Sequence, residues 1–258
     1  MILTSIVGIL CSDGIVIGTD SSATMSSLEF RTIEQPTKKI EIIGGITIVA
    51  GTGQIGLGQR FCNFVDKAYR EQLFVKNKNP VEIVTQLTKR TLDDFISTHV
   101  SAGSYGAMMA FTNGDDFNLC EFDPKTFQPE LKRLEKKLLF CSMGSGQAIT
   151  DPFLGLMKKV FWGDEIPTVA EAKFITAWTL QHAIDLNPGG INGPIQMAAI
   201  RKNEKERYSA VMISENEIEE HMNNIHDAEA YLAHYKNILQ GKNTGKKIPD
   251  LSPSASNT

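Results

Sequence analysis

At 258 residues with 41% hydrophobic content and a net charge of -4, the chain suits one large globular domain and neither a disordered nor a fibrous protein. Its 26 lysines and arginines are dispersed rather than clustered, so there is no electrostatic footprint for a phosphate backbone and nucleic acid is excluded as an expected partner. No run approaches a membrane span, the start at Met1 lacks a basic segment leading into a long apolar one, and Cys11, Cys62, Cys120 and Cys141 lack zinc-ligand spacing; a cytoplasmic protein with reduced core thiols, no membrane partner, no metal and no cofactor is expected.

Residues 4–12 and 15–20 are β-branched and apolar runs separated by Asp13-Gly14, which suits a tight hairpin turn. Residues 39–43 and 46–50 repeat the pattern around Gly44-Gly45, so the first fifty residues are predicted to form paired hairpins of one antiparallel sheet. A helix over 54–73 follows, with Phe61, Phe64, Val65 and Ala68 on one face. The next has Asn79 as cap, Pro80 at its first position and Glu82 in its first turn, directs Val84, Leu87, Thr91 and Phe95 inward, and ends near His99. Strands return at 105–112, 117–122 and 137–142, predicting a second sheet.

Helices over 148–161 and 169–184 come next, the latter announced by Pro167 and by Thr168 with Glu171 at capping-box spacing. Strands at 195–201 and 208–214 close the core. Strands, two helices, strands, two helices and strands do not alternate as βαβ units do; the order predicts an α+β fold, a four-layer α/β/β/α sandwich of two antiparallel sheets between helical layers. Residues 1–214 are read as one domain, 215–240 as a charge-rich amphipathic helical extension, and 241–258 as a polar, disordered tail. His99, His182, His221, His226 and His234 make no metal spacing and are expected at the surface.

Thr4, Asp20 and Lys39 carry the chemistry. A hydroxyl nucleophile, an ammonium and a carboxylate that holds the ammonium are what an N-terminal threonine amidohydrolase needs. A free α-amine titrating near about 8 is a far better base at neutral pH than an ordinary lysine, and a protonated lysine beside the hydroxyl favours the alkoxide. Singly, each residue has a plainer use: Thr4 as a strand residue, Asp20 as a turn cap, Lys39 as a solvated edge charge.

Together, Thr4-Ser5-Ile6-Val7-Gly8, Asp13-Gly14, Asp20-Ser21-Ser22-Ala23-Thr24-Met25, Thr37-Lys38-Lys39-Ile40 and Ala50-Gly51 resemble β-type proteasome subunits of the N-terminal nucleophile hydrolases, and Gly144-Ser145-Gly146 and Asp185 with Gly189-Gly190 extend the resemblance. It implies a threonine-type endopeptidase with Thr4 as nucleophile and, through its amine, as base, Lys39 and Asp20 as above, and the Gly51 N–H as oxyanion donor. Ser145 and Asp185 would orient the amine, and Thr24 and Gly51 would pair with the backbone of an extended substrate. Ala23 and Val49 would line the P1 pocket, which implies an apolar preference. The implied partners are peptides or unfolded proteins and a homo-oligomeric ring of the same chain, with a regulatory cap or ATPase left undefined. Lys39→Ala is expected to abolish turnover with little loss of stability.

The chain departs from that pattern at Leu3, which precedes Thr4, and at Pro188, where the family often has a serine. Ile2 is too large for ordinary methionine removal, so a free Thr4 amine requires autoprocessing or a second protease. Two alternatives stand beside the peptidase: a non-catalytic structural subunit that keeps Met1–Leu3, and an amidase acting on a small molecule. Gly51-Thr52-Gly53-Gln54-Ile55-Gly56 also satisfies a dinucleotide-binding motif, but Asn79-Pro80 starts a second helix where that fold needs a parallel strand.

Overall fold

Neither of the first two strands, β1 (Ser5–Leu10) and β2 (Gly14–Thr19), shows polar–apolar alternation, because both are buried at every position. A sheet covered on both faces has no solvent side to mark in the sequence. The computed structural model describes residues 4–27, 30–74, 78–101, 103–114, 116–135, 137–186, 190–202, 205 and 207–241. Met1–Leu3, Pro188, Gly189 and the tail beyond Gly241, which carry the expectations of processing, of the aspartate loop and of disorder, lie outside the described residues.

Two five-stranded antiparallel sheets form the centre. In the first, β1 and β2 sit between β10 (Phe140–Gly144) on one side and β11 (Gln196–Lys202) and β12 (Tyr208–Met212) on the other. The second runs β5 (Ile40–Ile43), β6 (Thr47–Gly53), β7 (Tyr105–Asn113), β8 (Asp116–Phe122) and β9 (Pro129–Leu131). Between them Ile6, Leu10, Ile15 and Ile17 meet Ile48, Met108 and Ala110.

Helices α1 (Ile55–Arg70) and α2 (Pro80–Ser97) cover the second sheet, where Phe61, Val65, Ile83 and Leu87 pack on Met109, Phe111 and Phe122. Helices α3 (Gln147–Met157) and α4 (Val169–Leu186) cover the first through Leu154, Ile175 and Leu180 against Val7, Ile9 and Val16. Each fully buried side chain of this size contributes about 1.5–3 kcal/mol. Three apolar layers between four structural layers make the expected α/β/β/α sandwich.

The expected helix caps are present. Asn79 Oδ1 accepts from the Val81 N–H at 2.9 Å, and Thr168 and Glu171 form a reciprocal capping box, with Thr168 N–H to Glu171 Oε2 at 2.7 Å and Glu171 N–H to Thr168 Oγ1 at 3.3 Å.

The sheet assignments need correction. The first fifty residues do not share one sheet: the β1–β2 hairpin belongs to the first and the β5–β6 hairpin to the second, and β10 returns to pair with β1 rather than joining β7 and β8. Between those hairpins lies a third, β3 (Ser22–Ser27) with β4 (Phe30–Pro36), which the sequence pattern did not announce. Helix α3 ends in a π-helical turn, Lys158–Trp162, and α1 buries Leu57 while Phe64 is only half-buried. The last helix, α5 (Glu215–Leu239), packs Ile225 and the half-buried Ile218, Met222 and Ala228 onto the α4 side of the molecule. His182, His221 and His234 are half-buried, whereas His99 and His226 are exposed as expected; His182 stacks on Phe153 at 4.2 Å between ring centroids. Among the described residues no helix is long and apolar enough to cross a membrane.

Candidate active site

The end of β2 delivers Asp20 into the interior with none of its side chain exposed, where two backbone N–H groups meet it: Ser5 to Oδ1 at 2.9 Å and Ser22 to Oδ2 at 3.1 Å. A buried carboxylate needs such partners. Lys39, just before β5, completes the set, its Nζ lying 2.8 and 2.9 Å from the two Asp20 oxygens with 7% of its side chain exposed. Burial pushes the Asp20 carboxyl up from its ordinary value, against the pull of the Lys39 ammonium and of the Ser5 and Ser22 N–H groups.

The same ammonium donates to Thr4 Oγ1 at 3.3 Å. Thr4, Asp20 and Lys39, 35 residues apart at the extremes, therefore meet at one point. Thr4 is held from the opposite side by the turn after β10. Its N–H donates to Ser145 Oγ at 3.1 Å, and its carbonyl accepts from the Gly146 N–H at 3.3 Å. The turn requires glycine at 144: its φ is +99°, and a Cβ there would stand 2.2 Å from the Thr4 carbonyl oxygen.

A cleft of about 410 Å³ opens at Thr4 and Lys39, with Gly51 and Val49 of β6 on its wall. Tyr105 lies behind Gly51, whose Cβ, if present, would meet the tyrosine hydroxyl at 2.6 Å. The wall is more mixed than small apolar residues alone imply, since Lys38, Glu41, Gln59 and Cys62 also line it. Cys62 is thereby separated from the other three cysteines: Cys11, Cys120 and Cys141 are buried, whereas Cys62 is half-exposed at the cleft, with burial pushing its thiol to about 11.

Ala23 and Thr24 lie on β3, in register with Gln35 and Glu34 of β4. Asp185 is exposed near the end of α4 and accepts from Gln181 Nε2 at 2.6 Å; no hydrogen bond joins it to Ser145 among the described residues. Sequence reasoning missed Gln196, Glu41, Cys62 and Tyr105. The helical phase of α1 carried the only signal for Cys62, one position after inward-facing Phe61; nothing local marked Gln196. Among the described residues no group of three or more His, Cys, Asp or Glu side chains is disposed to hold a metal ion.

The arrangement can hold an ammonium charged next to a threonine hydroxyl at the mouth of a cleft, which lowers the cost of developing negative charge on that oxygen. Comparison with protein families gives a match to the model described as Proteasome subunit over residues 4–192. No curated protein matches the chain.

Proposed function

The chain belongs to the proteasome subunit family, and from that premise we propose that it is a threonine-type endopeptidase acting through Thr4 once residues 1–3 have been removed. The observation that carries this reading is a single ammonium, Lys39 Nζ, in contact with both Asp20 and Thr4 Oγ1. The freed Thr4 amine takes the Oγ1 proton and Oγ1 attacks the substrate carbonyl. The Gly51 N–H receives the developing oxyanion. The amine then gives its proton to the leaving amine, and a water activated by the same amine hydrolyses the acyl-threonine ester. Ser145, at the Thr4 nitrogen, holds that nitrogen in place; Asp185, tied to Gln181, is left out of the mechanism.

The substrates in this reading are peptides or unfolded chains bound in extended form along the cleft, beside Thr24 of β3 and Gly51 of β6, with Ala23 and Val49 at P1. The active form is a homo-oligomeric ring in the cytoplasm. Exposed Leu156, Val160 and Phe161 on the outer helical layer give apolar surface for subunit contacts. Turnover of fluorogenic peptides by the processed protein and by Thr4→Ala is the test. A loss of roughly 10³-fold or more in the variant is expected; equal turnover in both would remove the reading and favour a structural subunit or a different nucleophile.

A further inference from the structure

Residues 37–39, which bring Lys39 to the site, belong to no strand or helix. They leave the neck of the β3–β4 hairpin, whose last register pair is Ser22 with Pro36. Immediately outside that pair the Thr37 N–H donates to the Ser21 carbonyl at 2.8 Å. One side chain from a distant strand spans the same neck. Gln196, the first residue of β11 and the register partner of Thr19, accepts the Lys39 N–H on Oε1 at 3.0 Å; its Nε2 donates to Ser21 Oγ at 2.8 Å and to the Thr37 carbonyl at 2.7 Å.

The orientation of the carboxamide is fixed by its partners. Turned over, it would set its NH₂ against the Lys39 N–H and its oxygen against the Thr37 carbonyl, two repulsive contacts in place of two bonds. Ser21 Oγ spends its own proton on the Pro194 carbonyl, which leaves its lone pairs to accept from Gln196. Gln196 thus joins both arms of the hairpin neck to the backbone of Lys39. A lysine side chain has several free torsions, and anchoring its backbone reduces the freedom lost when its ammonium settles between Asp20 and Thr4.

We propose that Gln196 is a positioning residue, clamping the hairpin neck so that the Lys39 ammonium reaches Thr4 Oγ1. The proposal rests on the threonine-peptidase reading for its effect on turnover. It is tested in the full chain with Gln196→Met, which keeps the length and removes all three bonds, and with Gln196→Asn, which keeps the carboxamide but falls one methylene short. Three measurements are made: the kinetics on a fluorogenic peptide, which give kcat and KM, the thermal midpoint, and the pH dependence of Lys39 acetylation by acetic anhydride followed by peptide mass spectrometry.

The expected result is a fall in kcat of roughly 10- to 100-fold with KM little changed, a midpoint within about 5 °C of wild type, and a shifted pH dependence of Lys39 acetylation in both variants. Wild-type turnover with unchanged kcat in folded variants overturns the proposal and leaves the peptidase reading intact. Absence of Thr4-dependent turnover in the wild type refutes the peptidase reading alone. The acetylation profile then decides on Gln196, and profiles that coincide in wild type and both variants overturn it.

Discussion

Lys39 and Lys132 are both nearly enclosed and both paired with carboxylates, with 7% and 8% of their side chains exposed, yet their neighbours give them different work. Lys132 follows β9 and reaches Glu121 at 3.3 Å and Glu130 at 2.7 Å. Those glutamates stand directly opposite each other on β8 and β9, a like-charged cross-strand pair that would repel without the cation between them. Burial pulls the Lys132 ammonium down, but Cys141 and the Glu130 and Glu121 carboxylates outweigh it and raise its pKa. Lys39 instead faces one carboxylate whose oxygens are already fixed by backbone N–H groups, and it directs a further proton to a threonine hydroxyl. Burial and pairing alone do not distinguish the two lysines; the donor that Lys39 aims at the Thr4 hydroxyl in a cleft does, and the threonine-peptidase reading gives that hydroxyl the role of nucleophile.

Removing each cation has the largest expected effect. Lys39→Ala is expected to reduce peptide turnover by roughly 10³-fold and, because it strands a fully buried Asp20, to lower unfolding free energy by about 3–5 kcal/mol in urea titration. The sequence alone suggested little loss of stability; the enclosure of the pair reverses that expectation. Lys132→Ala should cost less, about 1–3 kcal/mol, since Glu130 can turn to water, and turnover should not change. Equal effects on turnover would dissolve the distinction.

Acidification sharpens it. Burial raises the Asp20 carboxyl above its ordinary value, so its charge, and with it the hold on Lys39, is lost as pH falls through that raised value. The unfolded chain has the lower carboxyl pKa. Between the two values the folded state binds more protons, and the contribution of Asp20 to stability grows as pH falls. Turnover should therefore decline on acidification before the fold is lost, in kcat and thermal-midpoint profiles measured side by side. Loss of both together would contradict the assignment of the acid limb to Asp20. The smallest effects concern the residues around Thr4: Ser145→Ala should lower kcat by about 10-fold through loosened placement of the threonine nitrogen, while Asp185→Ala should leave it unchanged.

The parts of this account that could be read in the sequence depend on short spacing. The Asp13-Gly14 turn, the Asn79 cap and the Thr168–Glu171 box are complete within a few residues, and Thr4, Asp20 and Lys39 stand at strand ends that local pattern identifies. Which sheet a hairpin joins is decided by its outer neighbours, so the β5–β6 hairpin could not be separated from β1–β2 on its own pattern. The β3–β4 hairpin is rich in Ser and Thr; β3 alternates from Ser22 to Ser26 but with only Ala23 and Met25 as its apolar residues, and β4 breaks the period at Arg31-Thr32, so the strand signal was weak. Gln196 touches Lys39 across 157 positions, and a lone glutamine opening an apolar strand carries no mark of that contact. Cys62 looked like a core thiol because it follows Phe61, which is buried in the core; a single step of 100° around α1 turns it to the cleft instead.

The central claim is that Thr4 works with a free α-amine, and the intact mass with N-terminal sequence of the assembled, purified protein tests it most directly. The account requires a chain that begins at Thr4 and lacks Met1, Ile2 and Leu3. A chain that turns over peptides while still beginning Met1-Ile2-Leu3 would contradict it, because an amide nitrogen at Thr4 cannot take the proton that the mechanism assigns to it.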